Sequence, residues 1–192
     1  MIIKLDNKIN IQDLKKYLED IKKISPPFMK KNGPWGGWSI TSSNGEIYDG
    51  WQAGEKAYAR TTSEEDRQAI IDLFANSEFN TPTKIFNEYI ENLIAELKLI
   101  APDLRISRIR IALLKPHSEE EAYWHQDTDG RDAFRLHIPI ETNDKCFFDY
   151  KDKRHYLPAD GSIYLINVGK LHRAVNLSQI DRYHLIADAY KI

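Results

Sequence analysis

Apolar residues recur at helical spacing in three stretches of the first half of the chain. Residues 11–24 place an apolar side chain every three or four positions, and Asn10 precedes them as an N-cap. A second stripe covers 81–100, with Pro82 in its first turn. A third helix is predicted over 64–76. These stripes predict helices that bury one face against the rest of the protein.

Turn-forming residues separate these helices. Residues 25–37 are rich in proline and glycine and predict a loop. Residues 38–51 predict a β-hairpin that turns at Asn44-Gly45. The segment GPWGGWS either covers the mouth of a binding site or serves only for packing, and the sequence leaves both open.

The second half of the chain alternates between apolar and polar positions. In AFRLHIPIE (133–141) the apolar residues share one face of a strand, and Arg135 and His137 share the other. RISRIRIALLKP (105–116) alternates in the same way, and CFFDYK, GSIYLINV and RYHLIADAY predict further short strands. Short strands at this spacing predict an antiparallel sandwich or barrel of jelly-roll type.

We therefore predict an α+β fold made of one domain, residues 1–192. Its N-terminal part, 1–104, holds helices and a hairpin that pack on a jelly-roll core over 105–192.

Composition and charge exclude several classes of protein. The chain is 42% hydrophobic and 29% charged, which is typical of a globular protein. A net charge of −2 gives no electrostatic reason to expect a nucleic acid partner. The single cysteine, Cys146, excludes an internal disulfide and a thiolate zinc site, and its expected role is that of a small core residue. No spanning segment or leader is recognised, so we expect a cytoplasmic protein without a membrane partner.

One short motif carries candidate metal ligands. His125 and Asp127 are separated by one residue, so on a strand their side chains point to the same side. His172 follows the predicted strand GSIYLINV and supplies a third ligand. Two histidines and one carboxylate form the facial triad of non-haem Fe(II) oxygenases, which leaves coordination positions open for a cosubstrate and oxygen. Asp129 is the alternative carboxylate, although its spacing fits one strand face less simply.

Cations follow the same motif on the predicted inner faces. Arg135 and His137 come directly after it, and Arg182 opens the last strand, ten residues after His172. A buried guanidinium needs an anionic partner, and a dicarboxylate ligand could provide one. Pairing of Arg182 with Asp181 or Asp188 is the alternative explanation.

These motifs together resemble the aspartyl/asparaginyl β-hydroxylase family, including its small, soluble, proline-hydroxylase-like members. The matching pieces are WHQD (124–127), RLHIPI (135–140), LPADGSIYLINVGKLHRAVN (157–176) and DRYHLIAD (181–188). Each piece alone is unspecific, but their order is specific. The resemblance implies a cupin-like double-stranded β-helix that uses Fe(II) and 2-oxoglutarate.

The resemblance also implies residue roles. His125, Asp127 and His172 match the metal ligands, Arg135 and His137 match residues near the metal-binding end of 2-oxoglutarate, and Arg182 matches the arginine for its distal carboxylate. The implied reaction consumes molecular oxygen, hydroxylates an amino acid or an amino-acid side chain, and releases succinate and carbon dioxide.

Two other functions remain open from the residues themselves. The same triad serves isomerases and hydrolases, and a jelly roll can also bind a ligand around a structural metal ion. The roles of His184 and Asn176 are likewise open, between a place in the pocket and a purely structural one.

Overall fold

The structure, a computed structural model, describes residues 1–31, 33–51, 79–127 and 133–191. The predicted helix over 64–76 and the alternative ligand Asp129 lie outside these residues. The described helices are α1 (Ile11–Ile24) and α2 (Glu88–Ile100). The described strands are β1 (Ile2–Lys8), β2 (Phe28–Met29), β3 (Trp35–Ser39), β4 (Thr41–Ser42), β5 (Thr81–Pro82), β6 (Leu104–Leu114), β7 (Phe134–Glu141), β8 (Cys146–Tyr150), β9 (Arg154–His155), β10 (Ser162–Asn167), β11 (His172–Asn176) and β12 (Arg182–Lys191).

The strands form a large and a small antiparallel sheet that supply the two walls of the site. The large sheet has the order β1-β10-β7-β12-β6-β3-β2, the small one the order β11-β8-β9, and β4 pairs with β5. Apart from β2 and β3, neighbouring strands in the large sheet are not consecutive in sequence, and β12, for example, lies between β6 and β7. This mostly antiparallel architecture agrees with the predicted jelly roll.

The alternation of the strands separates two environments. One face of the large sheet belongs to a hydrophobic cluster that includes Ile111, Ile138 and Leu185, together with buried residues of both helices such as Leu18 and Leu93. Each fully buried aliphatic side chain of this kind contributes roughly 1.5–3 kcal/mol.

The opposite face of the large sheet is directed to the small sheet. Tyr164 and Ile166 of β10 share a second cluster with Phe148 and Tyr150 of β8. Arg135 and His137 alternate with the apolar residues of β7, so they also lie on this second side.

Two helix predictions have different outcomes. The helix over 11–24 is confirmed, with the side chain of Asn10 accepting a hydrogen bond from the Gln12 amide. The helix predicted from residue 81 is wrong at its start. Thr81–Pro82 forms β5, and α2 begins only at Glu88, where Asn87 accepts from the Ile90 amide at 3.1 Å. An asparagine side chain accepts a hydrogen bond from the first turn and so favours a helix start at that residue. Proline is compatible with a first helical turn but also with an edge strand.

The predicted hairpin over 38–51 is also wrong. β3 pairs with β2 and β6 instead, and β4 pairs with β5. Side chains of the predicted turn bind its own backbone: the Ser42 hydroxyl accepts from the Gly45 amide, and Asn44 accepts from the Glu46 amide. Such local hydrogen bonds compete with strand pairing.

The tryptophan–glycine segment is a strand and not the predicted loop. Trp35–Ser39 is β3, which pairs with β6. Gly37 has a φ of +139°, and a Cβ atom there would lie 1.8 Å from the Ile111 carbonyl oxygen. Only glycine permits this close approach of the two backbones.

Candidate metal centre and cosubstrate pocket

His125 and His172 face each other across the start of β11. The backbone amide of each donates to the carbonyl of the other at 2.9 Å, which makes an isolated antiparallel bridge. This pairing brings the two imidazole rings to a centroid distance of 4.5 Å. Phe148 stacks on His172 at 5.0 Å and an interplanar angle of 11°, and Trp35 meets His125 edge-on at 5.8 Å. Both rings are therefore held by backbone pairing and by aromatic contacts.

The second nitrogen of each imidazole is occupied by a backbone carbonyl. Nδ1 of His125 lies 3.1 Å from the Tyr123 oxygen, and Nδ1 of His172 lies 2.8 Å from the Lys170 oxygen. A carbonyl only accepts, so Nδ1 carries the proton in both residues and the Nε2 lone pair remains for a metal ion. Burial also lowers the pKa of His125, which favours the neutral form that binds metals.

Asp127 completes a set of three possible ligands. Its amide donates to the Val168 carbonyl at 3.0 Å, and its Oδ2 lies 3.5 Å from Nε2 of His172. One ligand atom from each of His125, Asp127 and His172 lies within 4.8 Å of the others. Two imidazole nitrogens and one carboxylate oxygen at this spacing fit a non-haem iron ion, which would retain open positions.

Arg135 connects this set to a second carboxylate. Its Nη1 donates to Asp127 at 2.7 Å, and its Nε donates to Asp188 at 2.8 Å. Burial alone would raise the pKa of Asp127, but Arg135 and His172 outweigh it and hold the pKa well below the usual range. The prediction placed Arg135 near the metal-binding end of 2-oxoglutarate, and the structure places it directly behind the candidate carboxylate ligand.

Asp188 accepts hydrogen bonds from three arginines. Besides Arg135, these are Arg108 at 3.3 Å and Arg110 at 3.2 Å. Burial would raise the pKa of Asp188, but the three guanidiniums lower it to about 2. We call these five residues, Arg108, Arg110, Arg135, Asp127 and Asp188, the arginine–aspartate network.

A β-bulge lets Arg108 and Arg110 of β6 reach this carboxylate. The pairing of β6 with β12 shifts between Ile186 and Asp188, and Arg108 has a φ of +50°. A non-glycine residue in this region costs about 1–3 kcal/mol and is typical of functional sites. The sequence predicted no site role for Arg108 or Arg110, and it offered Asp188 only as an alternative partner of Arg182. The signal for the two arginines was the alternation of β6, where Arg108 and Arg110 occupy the polar positions on either side of Ile109.

Arg182 lies in a separate cluster with two histidines. Its Nη2 is 3.1 Å from Nδ1 of His184, and that nitrogen is 3.5 Å from Nδ1 of His137. Burial, followed by the charge of Arg182, lowers the pKa of both histidines well below the usual range. Nε2 of both histidines is buried with no hydrogen-bond partner within the described part of the chain. His184 therefore lies in the interior between Arg182 and His137.

The two acids that the sequence offered as partners of Arg182, Asp181 and Asp188, both contact other residues in the structure. Asp188 is held by the arginine–aspartate network, and Asp181 contacts Lys115 at 3.8 Å and the Tyr183 hydroxyl at 3.2 Å. Among the described residues, Arg182 therefore has no carboxylate partner. The residue is nevertheless buried, with only 7% of its surface exposed. Burial lowers its pKa to about 10, so it stays charged at neutral pH.

Asn176 has the structural role. Its amide donates to the carbonyls of Leu114 and Ile180, and its oxygen accepts from the Ser178 amide. These contacts fasten the turn between β11 and β12 and leave the amide no capacity for a ligand.

A family model matches most of the chain. The model described as aspartyl/asparaginyl beta-hydroxylase matches residues 53–191, which include every candidate site residue. The chain belongs to the aspartyl/asparaginyl β-hydroxylase family. It is a 2-oxoglutarate-dependent oxygenase that uses Fe(II), as the resemblance implied, and family membership selects this function over the isomerase, hydrolase and binding-protein alternatives.

Solved structures support the same fold. The viral collagen prolyl hydroxylase of Paramecium Bursaria Chlorella virus-1, in its 2-oxoglutarate complex, is 11% identical, with a TM-score of 0.50 over 100% of this chain and 96% of that one. The non-heme alpha ketoglutarate dependent carbocyclase SnoK from nogalamycin biosynthesis is 10% identical, with a TM-score of 0.52 over 98% of this chain and 79% of that one. No curated protein sequence matches the chain significantly. At these identities the likeness concerns the fold alone. No described helix of this family member is both long enough and apolar enough to cross a membrane.

Proposed function

We propose that this oxygenase hydroxylates an amino acid or an amino-acid side chain, with iron held by His125, Asp127 and His172. The observation that carries the iron site is the convergence of three ligand atoms within 4.8 Å, with both Nδ1 atoms tied to backbone carbonyls. When bound, Fe(II) and 2-oxoglutarate supply the chemistry that uses molecular oxygen to convert a C–H bond to C–OH, with release of succinate and carbon dioxide.

Arg182 is proposed to bind the distal carboxylate of 2-oxoglutarate. A buried guanidinium without a carboxylate partner is costly, and a bidentate hydrogen bond to a ligand carboxylate removes that cost. His184 orients the guanidinium through its Nδ1 atom. The Nε2–H group that this tautomer requires, and His137 beside it, supply further polar contacts at the same end of the pocket.

Arg135 is proposed to orient the Asp127 carboxylate toward the metal ion rather than to bind 2-oxoglutarate. The Asp127 Oδ2 atom that accepts from Arg135 at 2.7 Å also lies 3.5 Å from Nε2 of His172, so the ion pair holds the carboxylate beside the imidazole ligands. Outer hydrogen bonds of this kind fix the geometry of carboxylate ligands. The aromatic rings of Phe148 and Trp35 pack against the two histidines and help to hold their imidazole rings in place.

We also propose that the whole chain is one oxygenase domain with its N-terminal helices packed on the jelly roll. Buried residues of α1 and α2, such as Leu14 and Leu97, share a cluster with Ile138 of β7 and Ile109 of β6. A shared core of this kind links elements into one folding unit.

The test compares metal binding and turnover in two histidine variants. Wild type should bind one Fe(II) per chain without oxygen and release succinate in air only when 2-oxoglutarate is added. His172→Ala should lose both properties, whereas His117→Ala should keep them, because His117 is exposed and contacts only Gln179 among the described residues. Full metal occupancy in His172→Ala would refute the triad.

A further inference from the structure

The two imidazole ligands of the proposed iron site are held by the protein in different ways. His172 is the first residue of β11, which pairs with β8 along its whole length. His125 belongs to no strand and meets the edge of the small sheet through one isolated bridge to His172. The position of the His125 imidazole therefore depends on how the chain is fixed on either side of this residue.

Hydrogen bonds fix the chain on the C-terminal side of this ligand. The side chain of Gln126 donates to the Gly169 carbonyl at 2.8 Å, and the amide of Asp127 donates to the Val168 carbonyl at 3.0 Å. On the N-terminal side the neighbouring residue is Trp124, whose half-buried ring takes part in a different kind of contact.

Two cations lie over the ring of Trp124. The Lys151 ammonium nitrogen is 4.1 Å from the ring centroid, and the guanidinium carbon of Arg173 is 4.9 Å from it. A cation within about 6 Å of an indole ring is attracted by the negative face of the ring. Arg173 directly follows His172 on β11, and neighbours on a strand point to opposite sides. Trp124 is therefore held on the outer face of the small sheet, away from the metal ligands.

Asp149 fixes Arg173 in this position. The two residues pair in register on β8 and β11, and Nε of Arg173 donates to the carboxylate at 3.3 Å. Arg154 donates to both oxygens of the same carboxylate at 2.8 Å. The Asp149 side chain is 5% exposed, so solvent screens these ion pairs little. A chain of contacts thus runs from β8 through Arg173 to Trp124.

We propose that Trp124, held by Arg173 and Lys151, is a positioning residue that places the imidazole of His125 for the metal ion. The inference rests on the proposed function, because it takes His125 as a ligand. Trp124 acts through the backbone: its ring is fixed on the outer face, while the next side chain lies 4.5 Å from the ring of His172 on the inner face. Groups that orient a metal ligand without touching the metal typically change the affinity roughly 10–100-fold when they are replaced.

The experiment measures the affinity for Co(II) by anaerobic titration without 2-oxoglutarate. Trp124→Leu should raise the dissociation constant for Co(II) about 10–100-fold. Trp124→Phe should give an intermediate value, because a benzene ring attracts the two cations more weakly than indole does. Arg173→Gln should also raise the dissociation constant, because it removes one cation and leaves the ring in place.

Phe147→Leu is the matched control. Phe147 lies on the same outer face of β8 as Asp149, and its ring contacts the guanidinium of Arg154 at 4.5 Å. The variant therefore removes an aromatic ring from a cation contact of the same kind, away from Trp124. Its dissociation constant for Co(II) should equal that of the wild type, and a rise as large as in Trp124→Leu would overturn the proposal.

The melting temperature of the metal-free protein separates positioning from simple stabilisation. If Trp124 only stabilises the fold, Trp124→Leu lowers the melting temperature and leaves the dissociation constant for Co(II) unchanged, which overturns the proposal. Should Trp124→Leu fail to fold, an unchanged dissociation constant in Arg173→Gln overturns it instead.

Failure of the proposed function gives a different pattern of results. A wild type that does not bind Co(II), or a His172→Ala variant that binds it fully, would refute the triad and with it this inference. An intact triad together with unchanged affinity in Trp124→Leu would refute the positioning role alone.

Discussion

Arg135 and Asp127 form an ion pair of 2.7 Å, although Asp127 follows an isolated bridge and Arg135 belongs to β7. The pair connects the candidate iron ligand to Asp188 and hence to Arg108 and Arg110 of β6. The charge state of the metal ligand therefore depends on residues of three different strands.

Replacement of Asp127 should mainly weaken the binding of Fe(II). Asp127→Ala removes the only carboxylate of the triad, so Fe(II) affinity should fall by more than the roughly 10–100-fold that is typical of losing an outer hydrogen-bond partner. Anaerobic titration with Fe(II) measures the change. Asp129→Ala is the control and should have a much smaller effect. The reverse order of the two variants would identify Asp129 as the ligand.

Arg182→Ala should weaken 2-oxoglutarate without weakening the metal. Truncation of one member of a buried, hydrogen-bonded charge pair costs about 2–5 kcal/mol, which is roughly 30-fold or more in affinity. Arg182→Lys should recover only part of the loss, because an ammonium group cannot form the bidentate contact. Titration of 2-oxoglutarate into the metal-loaded protein decides the matter, and an unchanged dissociation constant in Arg182→Ala would end the assignment.

His184 should matter for 2-oxoglutarate through Arg182. His184→Leu removes the acceptor at 3.1 Å from Nη2 of Arg182. Hydrogen bonds to charged groups contribute about 1.5–3 kcal/mol, so the dissociation constant for 2-oxoglutarate should rise at least about tenfold. His184→Gln should restore part of the affinity, because its amide oxygen can accept. Equal affinities for 2-oxoglutarate in the Leu and Gln variants would show that His184 does not position Arg182.

Asp188→Asn should destabilise the fold. Loss of a buried charge that pairs with guanidiniums costs about 3–5 kcal/mol, because the cations remain buried. Asp181→Asn provides the comparison: its carboxylate is 30% exposed and lies 3.8 Å from Lys115. An exposed pair of that kind contributes about 0–1 kcal/mol. Urea unfolding of both variants should separate them clearly, and similar midpoints would contradict the central role of Asp188.

Acid should weaken the fold through the same carboxylate. The pKa of Asp188 is about 2 in the folded protein, below its ordinary value of 3.8. A lowered folded-state pKa means that the unfolded chain binds the proton more readily. The stabilisation is therefore complete above about pH 4–5 and is lost as the pH falls toward 2. Urea midpoints between pH 6 and pH 2 test this, and Asp188→Asn should show a shallower decline than Asp181→Asn.

The sequence by itself determined the strands of the core and the character of their faces. Alternation in β7 separates Leu136 and Ile138 from Arg135 and His137, because side chains of a strand point to opposite sides. The spacing of His125 and Asp127, taken together with the order of the motifs that follow, predicted the three residues whose possible ligand atoms the structure brings within 4.8 Å. Local signals for turns and helix starts were less reliable predictors of the elements that form. Pro82 and the Asn44-Gly45 pair each predicted an element that other contacts replaced.

Tertiary structure alone decided the partners of the buried charges. Asp188 lies 80 positions from Arg108 and 53 positions from Arg135, and pairing of β12 with both β6 and β7 brings them together. Each arginine could have been assigned to several acids from the sequence. Which acid it meets depends on strand order and on a bulge that shifts the register, and both follow from packing over the whole sheet. For the same reason Arg182, whose neighbour Asp181 turns to Lys115, reaches the interior beside His184 instead.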